Sequence, residues 1–72
     1  MSRVLYVEDN ELIATQIKEY LEHENIYVDI CPLIKKVEEK IENNTYDLIL
    51  LDIILPDGNG INLYNKIKSI ID

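Results

Sequence analysis

Apolar residues are distributed along the chain in two different patterns, short continuous runs and longer helical stripes. Continuous apolar runs cover residues 4–7 and 48–51. Runs of this length without alternation are typical of strands that are buried on both faces, as in a parallel sheet. Residues 26–31 instead carry an apolar side chain at every second position, which indicates an edge strand with one wetter face.

Three further segments have the period of an amphipathic helix. The first covers roughly residues 11–24, and Asn10 precedes it as the predicted N-cap. The second helix is expected to end at Asn43 and Asn44. The apolar stripes that define the three helices are, in order, Ile13, Ile17 and Leu21; Ile34, Val37 and Ile41; and Ile61, Tyr64, Ile67 and Ile71.

Residues 53–60 join the third strand to the third helix, and we predict a loop there because Pro-Asp-Gly at residues 56–58 is a strong turn signal. The order strand-helix is thus repeated three times. Crossovers of this length predict an α/β fold, a parallel sheet with helices on both faces. With 72 residues, the chain has room for one small domain, residues 1–72.

Composition and charge narrow the range of partners. The net charge of −7 predicts that this segment binds neither nucleic acid nor an anionic membrane surface, because both are negatively charged. The apolar run at residues 48–51 is far too short to span a bilayer, and no signal stretch precedes the first strand. A single cysteine, Cys31, rules out an intrachain disulfide, so we expect a cytoplasmic protein.

Carboxylates follow two of the predicted strands. Glu8 and Asp9 come after the first strand, and Asp52 comes after the third. Ligands gather beyond the carboxyl ends of the strands in an open parallel sheet, so the acids converge there if those strands are neighbours. Crowded carboxylates stay ionised together when a cation joins them, and oxygen ligands suit Mg²⁺ or Mn²⁺. Alternatively, Glu8 and Asp9 merely favour the start of the first helix, and Asp52 merely opens a loop.

These residues resemble the response-regulator receiver domain of bacterial two-component systems. The resemblance rests on residues 4–10 (VLYVEDN), on residues 50–60 (LLDIILPDGNG) and on the separation between Asp9 and Asp52. It implies the N-terminal half of a flavodoxin-like (CheY-like), doubly wound fold. The expected element order is β-α-β-α-β-α, and the expected strand order is 2-1-3.

The resemblance also implies a role for each matching residue. Asp52 would accept a phosphoryl group from a sensor histidine kinase. Asp9 would bind Mg²⁺ directly, Glu8 would bind it directly or through water, and the backbone carbonyl of Ile54 would add a further ligand. Such a segment is a phosphoacceptor and not an enzyme in the ordinary sense, although the family shows weak self-catalysed phosphotransfer and dephosphorylation.

Complete receivers continue with two more strands and helices, which carry a Ser or Thr and a Lys that contact the phosphoryl group. No residue of this chain matches those positions. The alternative is therefore a half-receiver that does not accept phosphoryl and acts as an interaction or self-association module. Its third strand would be an exposed apolar edge, so we predict a homodimer through the third strands or an exchanged element.

A phosphohydrolase with an aspartyl nucleophile is disfavoured, because such enzymes usually carry a second acid at the position of Ile54. The remaining notable residues are interpreted structurally. Tyr6 is predicted to be a core or boundary residue, and His23 is predicted to be a solvated surface residue. Cys31 is predicted to be a small packing residue.

Overall fold

The structure of the chain, a computed structural model, describes residues 2–52, 54–55 and 58–71. Its parallel sheet has the order β2-β1-β3 and consists of β1 (Ser2–Val7), β2 (Ile26–Cys31) and β3 (Leu48–Leu51). The helices are α1 (Glu11–His23), α2 (Val37–Asn43) and α3 (Gly60–Ile71). The predicted α/β class and the strand order 2-1-3 are confirmed.

β1 is the central strand and is buried on both faces. Its residues Val4, Leu5, Tyr6 and Val7 are between 0% and 8% exposed. This burial explains the continuous apolar run, because a strand covered on both sides has no solvent-facing position.

Among the residues that the structure describes, the core forms two apolar clusters, one on each face of the sheet. One cluster lies on the side of α2 and α3, and the other lies on the side of α1. The first contains Leu5, Val7, Cys31, Val37 and Leu63, with Ile34, Ile41, Tyr46, Ile49 and Leu51 packed against it. The second contains Val4, Tyr6, Ala14 and Val28, with Ile17, Leu21, Ile26, Ile30 and Leu50 packed against it. Helices therefore cover both faces, as predicted.

Both ends of α1 follow local sequence signals. The side chain of Asn10 accepts a hydrogen bond from the backbone N–H of Ile13 at 3.1 Å, which confirms the predicted N-cap. Asn25 follows the helix with a φ of 62°, a left-handed conformation that asparagine tolerates better than most residues. Within the described ranges, no helix combines the length and the apolar character that a membrane span requires.

Two segments differ from the predictions. The turn before α2, Ile34–Lys36, is a 3-10 helix, so the α-helical part is shorter than the apolar stripe indicates. The predicted loop at residues 53–60 contains two short antiparallel strands, β4 (Ile54–Leu55) and β5 (Gly58–Asn59). Residues 56 and 57 of the predicted turn lie outside the described residues. A two-residue ladder depends on pairing between two short segments, which the sequence pattern does not reveal.

The prediction that one face of β2 is more exposed to solvent is only partly correct. Tyr27 is 40% exposed, but Cys31 on the same face is 1% exposed and belongs to the core. The difference arises because Val37 of α2 packs in the same cluster as Cys31. The predicted packing role of Cys31 is therefore confirmed, and His23 is exposed as predicted.

A polar cluster around Arg3 ties β1 to β2 and to the segment before β3. The Arg3 guanidinium donates to Asp29 Oδ2 at 3.1 Å and to Asn44 Oδ1 at 2.9 Å, and the Tyr46 hydroxyl donates to Asp29 Oδ2 at 2.7 Å. The guanidinium carbon also lies 5.2 Å from the ring centre of Tyr27 and 5.3 Å from that of Tyr46. Asp29 thus accepts hydrogen bonds from both Arg3 and Tyr46, while Arg3 also lies close to two aromatic rings.

Partial burial raises the pKa of Asp29, but hydrogen bonds from Tyr46, Arg3 and Tyr27 and the charge of Arg3 outweigh it. The net effect is a pKa below the usual value of 3.8. The carboxylate form is therefore favoured in the folded chain. Its stabilising contribution is complete above the usual pKa and is lost as the pH falls through the lowered pKa.

We expect Asp29→Asn to lower the free energy of unfolding by about 1 kcal/mol at neutral pH, since the Arg3 ion pair is partly solvent-screened. As the pH falls into the acid range, the free energy of unfolding should also decrease less in the variant than in the wild type. Urea unfolding at a series of pH values measures both effects. Glu19→Gln, on the exposed side of α1, serves as the control and should keep the wild-type decline. An unchanged acid profile in Asp29→Asn would contradict the assignment.

Candidate metal centre

Glu8 and Asp52 lie next to each other because their strands are paired in register. Val7, the last residue of β1, lies opposite Leu51, the last residue of β3. The ladder continues one step further on each side: the Glu8 N–H donates to Cys31 O at 3.1 Å, and the Asp52 N–H donates to Val7 O at 3.0 Å. The backbone of both acids is therefore fixed by the rigid sheet and not by a loop.

The structure brings three of the predicted site residues together. Glu8, Asp9 and Asp52 each offer a carboxylate oxygen, and these oxygens lie within 4.8 Å of one another. Glu8 and Asp52 are half-buried, whereas Asp9 is exposed. The predicted convergence of the acids at the carboxyl end of the sheet is thus present in the structure.

Ile54 is the remaining predicted site residue. It begins β4, two residues after Asp52, and its partner in the ladder is Asn59. This position keeps its backbone close in sequence to the acidic cluster. The role of its carbonyl as a metal ligand stays a prediction.

Both oxygens of Glu8 accept hydrogen bonds. Oε2 accepts from the backbone N–H of Asp9 at 3.1 Å and of Asn10 at 3.4 Å, and Oε1 accepts from the Tyr6 hydroxyl at 3.4 Å. Two of these donors belong to the turn that leads into α1. The interpretation of Glu8 as a favourable charge beside a helix start therefore also has structural support, and the two roles are compatible.

The environment of Glu8 opposes its ionisation. Burial is the main reason that the pKa of Glu8 lies above its usual value of 4.5, and a side-chain hydrogen bond with Asp52 and the charge of Asp52 raise it further. The backbone N–H of Asn10 acts in the opposite direction. The ionised cluster is therefore under electrostatic repulsion, which a bound cation would relieve.

The contact between Tyr6 and the acidic cluster was not predicted from the sequence. It is 8% exposed, so the predicted core position is confirmed, but its hydroxyl also reaches Glu8. The two-residue period of a β-strand could have predicted this contact. Residues two positions apart in a strand lie on the same face, so a tyrosine two residues before a strand-terminal acid can reach that acid.

The donor set has the chemistry of a hard-cation site. All three side chains are carboxylates, and the group contains no sulfur or imidazole donor. Mg²⁺ and Mn²⁺ prefer such oxygen ligands, whereas zinc sites in proteins usually include nitrogen or sulfur. The residues present therefore fit the metal that the sequence predicted.

Comparison with known proteins identifies the family. The family model of the response regulator receiver domain matches residues 4–71. The chain belongs to this family. It is therefore a receiver segment of the kind found in the response regulators of two-component signalling.

Individual relatives agree with this assignment. Response regulator ArlR from Staphylococcus saprophyticus is 47% identical over 69 residues, which cover 96% of this chain and 31% of the relative. The HemR receiver domain from Leptospira biflexa is 38% identical, with a TM-score of 0.89, and the match covers 96% of this chain and 56% of that one. Response regulator TrrA from Thermotoga maritima, solved in complex with Mg²⁺-BeF, is 30% identical with a TM-score of 0.91 over 99% of this chain and 62% of its own.

The receiver segment therefore spans about a third of the length of its relative ArlR and somewhat more than half of the similar structures. This partial coverage agrees with the predicted N-terminal half of a receiver. The acidic cluster lies within the matched residues, because the family match begins at Val4 and ends at Ile71.

We expect Glu8→Gln to stabilise the metal-free chain by on the order of 0.5 kcal/mol, because it removes one of three crowded charges at a partly solvated site. Added Mg²⁺ should raise the stability of the wild type more than that of the variant. Urea unfolding with and without Mg²⁺ measures both effects, and Glu19→Gln removes the same charge from α1 as a control. An equal response of wild type and Glu8→Gln to Mg²⁺ would argue against a role for Glu8 in the metal centre.

Proposed function

We propose that this receiver segment accepts a phosphoryl group on Asp52 from the phosphohistidine of a sensor histidine kinase. In this proposal Glu8, Asp9, Asp52 and the backbone carbonyl of Ile54 hold Mg²⁺, with Mn²⁺ as a possible substitute. The observation that carries the proposal is the convergence of three carboxylate oxygens within 4.8 Å at the carboxyl end of a receiver-family sheet.

The transfer exchanges one bond to phosphorus for another. An oxygen of Asp52 forms a bond to phosphorus while the bond between phosphorus and the kinase imidazole nitrogen breaks, and that nitrogen keeps the electron pair. A bound divalent cation would offset the repulsion between the anionic nucleophile and the phosphoryl oxygens. The backbone hydrogen bond from Asp52 to Val7 would hold the nucleophile still on the rigid sheet.

Two further observations support the metal in this proposal. Burial raises the pKa of Glu8 first, and the hydrogen bond with Asp52 and the charge of Asp52 raise it further, so a bound cation would favour the ionised form that this site otherwise opposes. The similar response regulator TrrA was solved with Mg²⁺-BeF. Together they favour Mg²⁺ over an acidic cluster that only charges the start of α1.

In this proposal the phosphoryl transfer takes place in the cytoplasm, and the segment itself contacts neither nucleic acid nor a membrane. The net charge of −7 supports this restriction, because phosphate backbones and anionic lipid surfaces repel an acidic protein.

We expect incubation with Mg²⁺ and acetyl phosphate to add one phosphoryl group to the wild-type chain, as measured by intact mass. Asp52→Asn should abolish the adduct, because the amide is not a nucleophile. Asp47→Asn makes the same chemical change beside the other end of β3 and should leave the adduct intact. An adduct that persists in Asp52→Asn, or a folded wild type that forms none, would overturn the proposal.

A second candidate function is self-association, which the exposure of β3 favours. Among the described residues, β3 pairs with β1 and with no other strand, and Leu48 is 53% exposed. In general, an apolar edge strand presents backbone N–H and C=O groups that can pair with a strand from a second copy. We infer a homodimer joined through β3 or through an exchanged element, which would operate whether or not Asp52 is phosphorylated.

We expect sedimentation velocity to detect a concentration-dependent dimer of the wild type. Leu48→Lys should weaken this dimer at least about tenfold, because a charge on the edge opposes strand pairing. The matched control is Tyr20→Lys, since Tyr20 is 69% exposed but lies on α1. A wild type that sediments as a monomer at every concentration would refute self-association.

A further inference from the structure

Tyr6 combines a buried ring with a hydroxyl that points at the acidic cluster. The ring packs in the cluster that contains Val4, Ala14 and Val28, and the residue is 8% exposed. The strand period carries the side chain towards the face that Glu8 shares, and its hydroxyl donates to Glu8 Oε1 at 3.4 Å. A ring fixed by packing holds its hydroxyl in place.

The hydroxyl adds a donor on the second oxygen of Glu8. The backbone N–H groups of Asp9 and Asn10 restrain Oε2, but neither contacts Oε1. The Tyr6 hydroxyl donates to Oε1. With donors on both oxygens, the Glu8 carboxylate has less rotational freedom to lose when a cation binds.

We propose that Tyr6 is a positioning residue of the metal centre, whose hydroxyl orients the Glu8 carboxylate and thereby strengthens the binding of a divalent cation. This inference rests on the proposed function, in which Glu8 belongs to the metal site. Tyr6 itself touches neither the cation nor the phosphoryl group. Its effect passes through Glu8, so it should disappear when Glu8 is replaced.

The test measures Mg²⁺ affinity of the full 72-residue chain by isothermal titration calorimetry, with Mn²⁺ for variants that bind weakly. Tyr6→Phe keeps the ring and removes the donor. It should raise the Mg²⁺ dissociation constant by about threefold to tenfold, at or below the lower end of the effect expected when a residue that orients a metal ligand is lost. Tyr46→Phe is the matched control. It removes a hydroxyl that donates to Asp29 at 2.7 Å, far from the acids in the fold, and should leave Mg²⁺ affinity unchanged.

A double-mutant cycle separates positioning from packing. In a Glu8→Gln background, Tyr6→Phe should have no further effect on affinity if the hydroxyl acts through the carboxylate. A loss of the same size in both backgrounds would overturn the inference, since the hydroxyl would then act by another route. An unchanged dissociation constant in folded Tyr6→Phe would also overturn it, while leaving the metal centre intact.

A measurement on the wild type makes the test independent of how Tyr6→Phe folds. Mg²⁺ should change the ultraviolet absorption of tyrosine with the same midpoint as the calorimetric binding, and Glu8→Gln should lose this change. A flat tyrosine difference spectrum during saturable Mg²⁺ binding would overturn the role of Tyr6. If the folded wild type does not bind Mg²⁺ at all, the proposed metal centre fails, and the role of Tyr6 fails with it.

Discussion

β1 lies between two parallel neighbours and is covered on both faces, so each helical layer packs against side chains that this one strand supplies. Val4 and Tyr6 face the α1 layer, whereas Leu5 and Val7 face the layer of α2 and α3. The same pairing aligns the last residues of β1 and β3. The core and the acidic cluster therefore follow from a single register, and a shift by one residue would disrupt both.

The two ends of β1 carry opposite kinds of electrostatic interaction. Near its start, Arg3 pairs with Asp29 and lies against aromatic rings, so the charges there are complementary. Beyond its end, Glu8 is crowded by Asp52, and its pKa is raised by burial first and then by that neighbour. Crowding of like charges is common where a protein binds a ligand, because a bound ligand of opposite charge relieves the repulsion.

Much of the secondary structure could be predicted from local patterns. The apolar runs at residues 4–7 and 48–51 are strands, and Asn10 caps the first helix as expected. These features depend on neighbours in sequence and on burial, which hydrophobicity records directly. The pairing of β4 with β5 could not be predicted in this way, because it depends on contacts between two short and irregular segments.

The sequence by itself determined which acids follow the strands, and the motif around Asp52 determined the family. Only the tertiary structure decided that β1 and β3 are paired in the register that brings Glu8, Asp9 and Asp52 within 4.8 Å. It also decided that the hydroxyl of Tyr6 lies within reach of Glu8. The physical reason is that side-chain identity is a local property, whereas distances between strands depend on how crossovers and the packing of both faces fix the sheet.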